Sequence, residues 1–320
     1  MENSTLKRVV YLAAAVAVVA GAAAAVVGLL GGIAPRAPVA GSAVAGTAVS
    51  GRIDVDQVES LPLGGVQRID VSVVSSDVTV TEGTEGSVTA RLRGMVSSSR
   101  NVVAPELIAE TRGGTAAFRV DHRNAGLAMG FRRSDLMVEV AIPKGFRGAL
   151  VIHGVSANIV LPAGWTFTDL EFATVSGDVT LGATTAASLT CRTVSGDLEA
   201  PSVSARSADL RTTSGGMTVG GLTGDLVAHT VSGGLRLDWT AFSGSIDVST
   251  TSGSVTLGIP SGSGFRLDAG STSGRITSDH AVTVKGSASG PGRRSLTGEV
   301  GSGTGSVRVR TVSGGIRIGM

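Results

Sequence analysis

The feature that most limits what this chain can fold into is a motif that returns at a nearly constant interval. TVSGDVTL at Thr174–Leu181 is followed by TVSGDLEA at Thr193–Ala200 and TTSGGMTV at Thr212–Val219. The motif glycines are Gly177, Gly196, Gly215, Gly233, Gly253, Gly274 and Gly314, at spacings of 19, 19, 18, 20, 21 and 40 residues. A period near 20 implies stacked units that each bury part of their surface against the next. The last interval is two periods long. GSGTGSVRV (Gly301–Val309) reads as a degenerate turn there, displaced by an insert around Ala288–Arg294.

Aligned on the glycine, the columns give a geometry. Two and four places after it stand apolar residues, as in Val179/Leu181, Met217/Val219, Leu235/Leu237, Val255/Leu257 and Ile316/Ile318. Between them stand Thr180, Glu199, Thr218, Arg236, Thr256, Thr277 and Arg317, which this alternation turns outward. Before the glycine, Leu170/Phe172, Leu189/Cys191, Leu226/Ala228, Ile246/Val248 and Val307/Val309 alternate with charged neighbours. Each unit is therefore a strand, a tight Ser-Gly corner, a second strand and a looser return turn. The expected fold is an all-β solenoid, β-helix-like, with coils of about 19–20 residues. A single coil orders more backbone than its few buried side chains can offset, so coils must stack to be stable.

The recurring Ser-Gly pairs are Ser176-Gly177, Ser195-Gly196, Ser214-Gly215, Ser232-Gly233, Ser252-Gly253, Ser273-Gly274 and Ser313-Gly314. A serine nucleophile needs a positioned base and an oxyanion hole. His122, His153, His229 and His280 do not recur with the motif, and a strand rather than a helix follows the glycine. The structural reading is a corner in which Gly accepts positive φ, Ser bonds the local backbone, and the Thr column (Thr174, Thr193, Thr212, Thr230, Thr250, Thr311) forms a hydroxyl ladder. Asp178 and Asp197 fall on adjacent coils like an acid/base pair, but Gly216, Gly234, Ser254 and Arg275 follow them in the column. Arg192, Arg211 and His229 form an outward column, a candidate basic stripe for an anionic polymer. Trp165 and Trp239 are candidates for stacking on sugars, with packing as the alternative. Cys191 falls on an inward column and reads as a small core residue. Metal and phosphate motifs are absent, so neither a metal nor another cofactor is expected.

Composition narrows the partner classes. The formal net charge of +2 gives no basis for nucleic-acid binding. Aromatic residues make up only 3% of the chain, so the core rests on aliphatic side chains. With one cysteine, no intrachain disulfide can form.

Lys7-Arg8 precede an uncharged run from Val9 to Pro35. A helix over 9–34 would span about 39 Å, longer than a bilayer core of roughly 30 Å. The positive flank keeps residues 1–8 cytoplasmic and exports the rest. We read 9–34 as an uncleaved transmembrane signal anchor. The alternative is a secreted protein cleaved after Pro38-Val39-Ala40 or Ala43-Val44-Ala45. Residues 35–52, rich in small residues, Pro and Gly, read as a flexible linker. Residues 53–150 carry short alternating segments such as RIDVSVV (Arg68–Val74) and DVTVTE (Asp77–Glu82), and read as a β-strand region capping the solenoid of 151–320.

The corner pattern at 18–21-residue spacing resembles a bacterial family of β-strand-repeat proteins labelled putative adhesin, over roughly Ile53–Met320. DLMVEVAIPKG (Asp135–Gly145) is similar to that family's pre-repeat strand, and TVSGGIRIGM (Thr311–Met320) to its C-terminal ending. The resemblance implies a domain tethered behind one transmembrane helix, with no catalytic residues to carry over. Three functions follow as expectations. The first is a non-catalytic binding or scaffold module contacting cell-wall polymer or another envelope protein. The second is a polysaccharide-active enzyme using Asp178 and Asp197. The third is an accessory of envelope-stress sensing. The final coil lacks a covering element after Ile316–Ile318, so its edge is expected to be open to self-association unless the 285–301 insert folds over it.

Overall fold

The computed structural model describes residues 51–98, 104–122, 132–284 and 294–320. The expected cytoplasmic tail 1–8, the anchor 9–34 and the linker up to residue 50 lie outside them. The described residues form strands and turns, and among them no helix is long and apolar enough to cross a membrane.

The first nine strands are β1 (Gly51–Pro62), β2 (Arg68–Ser72), β3 (Asp77–Glu82), β4 (Ser87–Ser98), β5 (Glu106–Arg112), β6 (Thr115–Asp121), β7 (Arg132–Ile142), β8 (Ala149–His153) and β9 (Ile159–Leu161). The regular repeat supplies β10 (Trp165–Ser176), β11 (Val179–Leu181), β12 (Thr184–Ser195), β13 (Leu198–Ala200), β14 (Val203–Arg211), β15 (Met217–Leu222), β16 (Asp225–Ser232), β17 (Leu235–Trp239), β18 (Ser245–Ser252) and β19 (Val255–Gly258). The last six are β20 (Phe265–Ser271), β21 (Ile276–Ser278), β22 (Thr283–Val284), β23 (Arg294–Val300), β24 (Gly305–Ser313) and β25 (Ile316–Gly319).

They build two sheets. One runs β1-β4-β7-β3-β9-β11-β13-β15-β17-β19-β25-β21, the other β22-β23-β20-β24-β18-β16-β14-β12-β10-β8-β2-β6-β5. Within them, a run of ten strands in one sheet matches ten in the other, so ten coils stack, each giving one strand to each sheet. Strands β2 and β3, from the 53–150 stretch, lie directly beside β8 and β9 in these same sheets. In the regular part the pairing is parallel and in register, with Leu170 opposite Leu189 and Phe172 opposite Cys191. Like columns therefore pack on like, which is what a sequence repeat of one coil demands. The inward columns are sealed: Phe172, Leu181, Leu210, Val219, Leu237 and Val248 are 0% exposed.

Coil order departs from sequence order at both ends. Near the N-terminal end, coil β6–β7 lies outside β2–β3, and β8–β9 returns to the inner side of β2–β3. Near the C-terminal end, β24 pairs with β18 on one side and β20 on the other, while β25 sits between β19 and β21. The last coil in sequence is thus an inner coil in space. This corrects the expectation of an open edge at Ile316–Ile318, since Ile316 and Ile318 are 1% and 0% exposed. It also corrects the reading of the 40-residue interval. GSGTGS is the turn from β23 into β24, and no coil of the stack lies between β21 and β24.

Burial explains the inserted order. If β20–β21 stacked directly on β18–β19, the Ile316/Ile318 pair would lie outermost. Insertion seals that pair and leaves Ile276 and Ser278, both half-buried, at the end. At the N-terminal end antiparallel strands cover both sheets, β4 and β1 on β7 and β5 on β6, whereas at the C-terminal end β23 covers β20 and β21 is the edge strand of its sheet. At the N-terminal end Gln57 also bridges the two sheets: its Nε2 donates to the Pro105 carbonyl (2.8 Å) and its Oε1 accepts from the Leu107 N–H (2.7 Å).

Candidate functional site

The recurring Ser-Gly corner is the most frequent candidate site in the sequence. A methyl group added at Gly177 would overlap the backbone carbonyl of Ala157, and one at Gly196 that of Gly177. The chain of contacts continues from Gly215 to Gly196, Gly233 to Gly215, Gly253 to Gly233, Gly314 to Gly253 and Gly274 to Gly314. Every motif glycine is therefore required by close approach of the neighbouring coil. Gly177 adds a φ of 141°. The expectation of positive φ throughout is too broad, because Gly196, Gly253, Gly274 and Gly314 do not have it.

The seven motif serines are exposed. Their carbonyls carry the ladder, as in Gly177 N–H to Ser195 (3.1 Å) and Gly215 N–H to Ser232 (3.0 Å). Among the described residues no hydrogen bond ties their hydroxyls to the turn backbone, which corrects the role expected for them. The threonine column does line up, Thr174 opposite Thr193 and Thr230 opposite Thr250, all buried. It is not a hydroxyl ladder. Thr174 and Thr311 donate to carbonyls of the neighbouring coil at 3.3 and 3.4 Å, while the Oγ1 atoms of Thr193, Thr212, Thr230 and Thr250 have no hydrogen-bond partner. Ser271 takes the same place in β20. It accepts from Gly274 N–H (2.7 Å) and donates to the Gly314 carbonyl (3.1 Å).

Asp178 and Asp197 are brought together, with a specific task. Asp178 Oδ1 accepts the backbone N–H of Asp197 (2.8 Å), and Asp197 Oδ1 accepts that of Gly216 (2.6 Å). The series begins earlier, with Asp77 Oδ1 accepting from Asn158 N–H (2.9 Å) and Asn158 Oδ1 from Asp178 N–H (3.0 Å). Each side chain in this column satisfies the turn amide of the next coil. Sequence reading missed Asp77 and Asn158, although VSSD and VSAN are divergent copies of the corner motif. The column ends at Gly216, which has no side chain to pass on.

Arg192, Arg211 and His229 are adjacent in register on β12, β14 and β16. They do not form an open basic stripe. Arg211 Nε lies 2.8 Å from Asp209 Oδ1, and Arg192 lies 3.5 Å from Asp209 and 3.9 Å from Glu171. The three residues are half-buried against an acidic column. The His229 ring meets Ser249 Oγ at 2.5 Å, and its pKa is lowered, chiefly by burial and then by the Arg211 charge. Burial pushes the Cys191 thiol up to about 12, consistent with an inert core residue. Trp165 and Trp239 are 3% and 5% exposed, so both pack rather than present a platform for sugars.

In the outward column that stands between the apolar pairs, a further regularity becomes visible only in spatial order. Across one sheet, Thr79 lies opposite Val160, then come Thr180, Glu199, Thr218, Arg236, Thr256, Arg317 and Thr277. Threonine occupies every second coil, a repeat of roughly 9–10 Å at ordinary strand spacing. In sequence order the alternation fails at Thr256 and Thr277. Inserting β25 between β19 and β21 restores it.

Comparison with solved structures finds similar chains at low identity, one of them at the level of a shared fold. A putative adhesin from Bacteroides fragilis superposes with a TM-score of 0.50 at 16% identity, covering 82% of this chain and 97% of its own. Putative adhesins from Parabacteroides distasonis and Parabacteroides merdae both give a TM-score of 0.45 at 10% identity, each covering 82% of this chain and, respectively, 97% and 95% of their own. No curated protein sequence matches the chain. A family model described as Toastrack DUF4097 matches residues 66–319, nearly the whole described stack, and the chain belongs to that family.

Proposed function

We propose that this chain is a non-catalytic binding or scaffold module, held at the outer side of the cytoplasmic membrane by residues 9–34 and contacting cell-wall polymer. The observation that carries the reading is the threonine column, which presents one contact at every second coil from Thr79 to Thr277. An extended polymer whose own repeat is close to two strand spacings would meet the same hydroxyl and methyl group along the length of the stack. Likeness in fold to solved proteins described as putative adhesins supports a surface-contact role. The enzyme reading loses its motivation at Asp178 and Asp197, since one oxygen of each is committed to a backbone amide.

Sedimentation of the purified protein with cell-wall glycan tests the proposal. The expected result is retention of the wild type, weakened when Thr180, Thr218 and Thr256 are together replaced by Asp. Absence of retention would overturn the polymer reading, as would glycan turnover that is lost in Asp178→Asn.

A further inference from the structure

The strands β20, β21, β23, β24 and β25 form a unit with its own internal order. β20 is the centre, flanked by β23 and β24, and β21 pairs with β25. The strand pairing that joins this unit to the rest of the stack is a single step, β24 on β18 and β25 on β19. Phe242 adds one contact, edge-on to Phe265 at 6.0 Å. The covalent link is the stretch Pro260–Gly264, which crosses from the end of β19 to a strand two coils away. It turns through Ser263 N–H to the Pro260 carbonyl (3.2 Å), with Gly262 at φ 85°.

The docking edge matches β24 in charge. Direct stacking of β20 on β18 would set Asp247 beside Asp268, a like-charge pair. The inserted β24 puts Arg308 opposite both, 3.9 Å from each carboxylate, and Arg310 also pairs with Asp268. Gly314 meanwhile fits against the Gly253 carbonyl, where a side chain would not. The edge of β18–β19 is thus matched in charge to this chain's own β24–β25, with a glycine corner that fits as it does at the other coils.

We propose that this unit also docks onto β18–β19 of a second copy, so that two chains exchange it through the Pro260–Gly264 link. Every contact of the docked edge is retained in the exchanged pair, and only the path of the link differs. Exchange of an identical element is a low-cost route to a dimer, favoured as protein concentration rises. Self-association therefore runs through an interior edge of the stack.

Ser245 and Ser306 are opposite one another on β18 and β24, and both are exposed. Full-length chains carrying Ser245→Cys alone and Ser306→Cys alone, with different tags, are mixed at high concentration, briefly destabilised in mild denaturant, returned to native buffer and oxidised. Neither can close this bond within itself, and Cys191 is buried. The expected product is the mixed disulfide, above the proportion set by random pairing with the two homodisulfides. The double variant in one chain is the control for geometry. If it closes fully while the mixed chains give only random pairing, exchange is excluded.

Discussion

Adding one methyl group tests why glycine holds the corner. Gly215→Ala drives Cβ into the Gly196 carbonyl, which is backbone and cannot swing away. We expect a loss of about 1–3 kcal/mol or more, by analogy with overpacking of a filled core. The neighbouring Ser214→Ala removes only an exposed hydroxyl and is expected to stay within about 0.5 kcal/mol. Urea unfolding of the two variants separates a structural corner from a serine site. In the acidic column, Asp178→Ala leaves the Asp197 amide without its acceptor and should cost about 1 kcal/mol, whereas Asp178→Asn keeps an oxygen in place and should cost less. His229 sets a pH dependence. Its folded pKa lies below the ordinary value of about 6.5, so the unfolded chain takes up the proton first as pH falls. Its contribution is fully present above that value and declines below it. His229→Gln should flatten stability against pH from about 6.5 downward, as read by denaturant midpoints.

At the scale of strands and coils, burial predicts which residues matter. Ile316→Ala, in the inserted coil, should cost about 2–5 kcal/mol because Ile316 is sealed between two neighbours. Ile276→Ala, in the half-buried outer strand β21, should cost clearly less; thermal unfolding of both variants checks the order. The strands of the regular repeat, β10 to β19, were legible in the sequence because period-2 alternation inside a period near 20 admits few other folds. The identity of Asp178 and Asp197 as neighbours was legible for the same reason. Their task was not, since the hydrogen bond runs from one coil's side chain to the next coil's amide and leaves no local pattern. The basic stripe failed because columns were read singly. Arg192 and Arg211 are neutralised by Glu171 and Asp209, which belong to the adjacent column.

For the whole molecule, the order of coils is what sequence periodicity could not supply. A repeat with matching columns lets any coil sit on any other, so the order is decided by the ends. At the C-terminal end the less apolar coil is placed outermost, like charges are kept apart, and an antiparallel strand covers β20. The threonine alternation depends on the same order and vanishes if coils follow the sequence. Thr256, Arg317 and Thr277 report it directly. Arg317 lies opposite both threonines, while Thr256 and Thr277 are two coils apart, beyond the roughly 7 Å between Cα atoms that a disulfide tolerates. Disulfide formation in two double-cysteine variants is therefore the most direct test. The inserted order predicts rapid intramolecular closure for Thr256→Cys with Arg317→Cys and none for Thr256→Cys with Thr277→Cys. Closure of the second pair and not the first would contradict it.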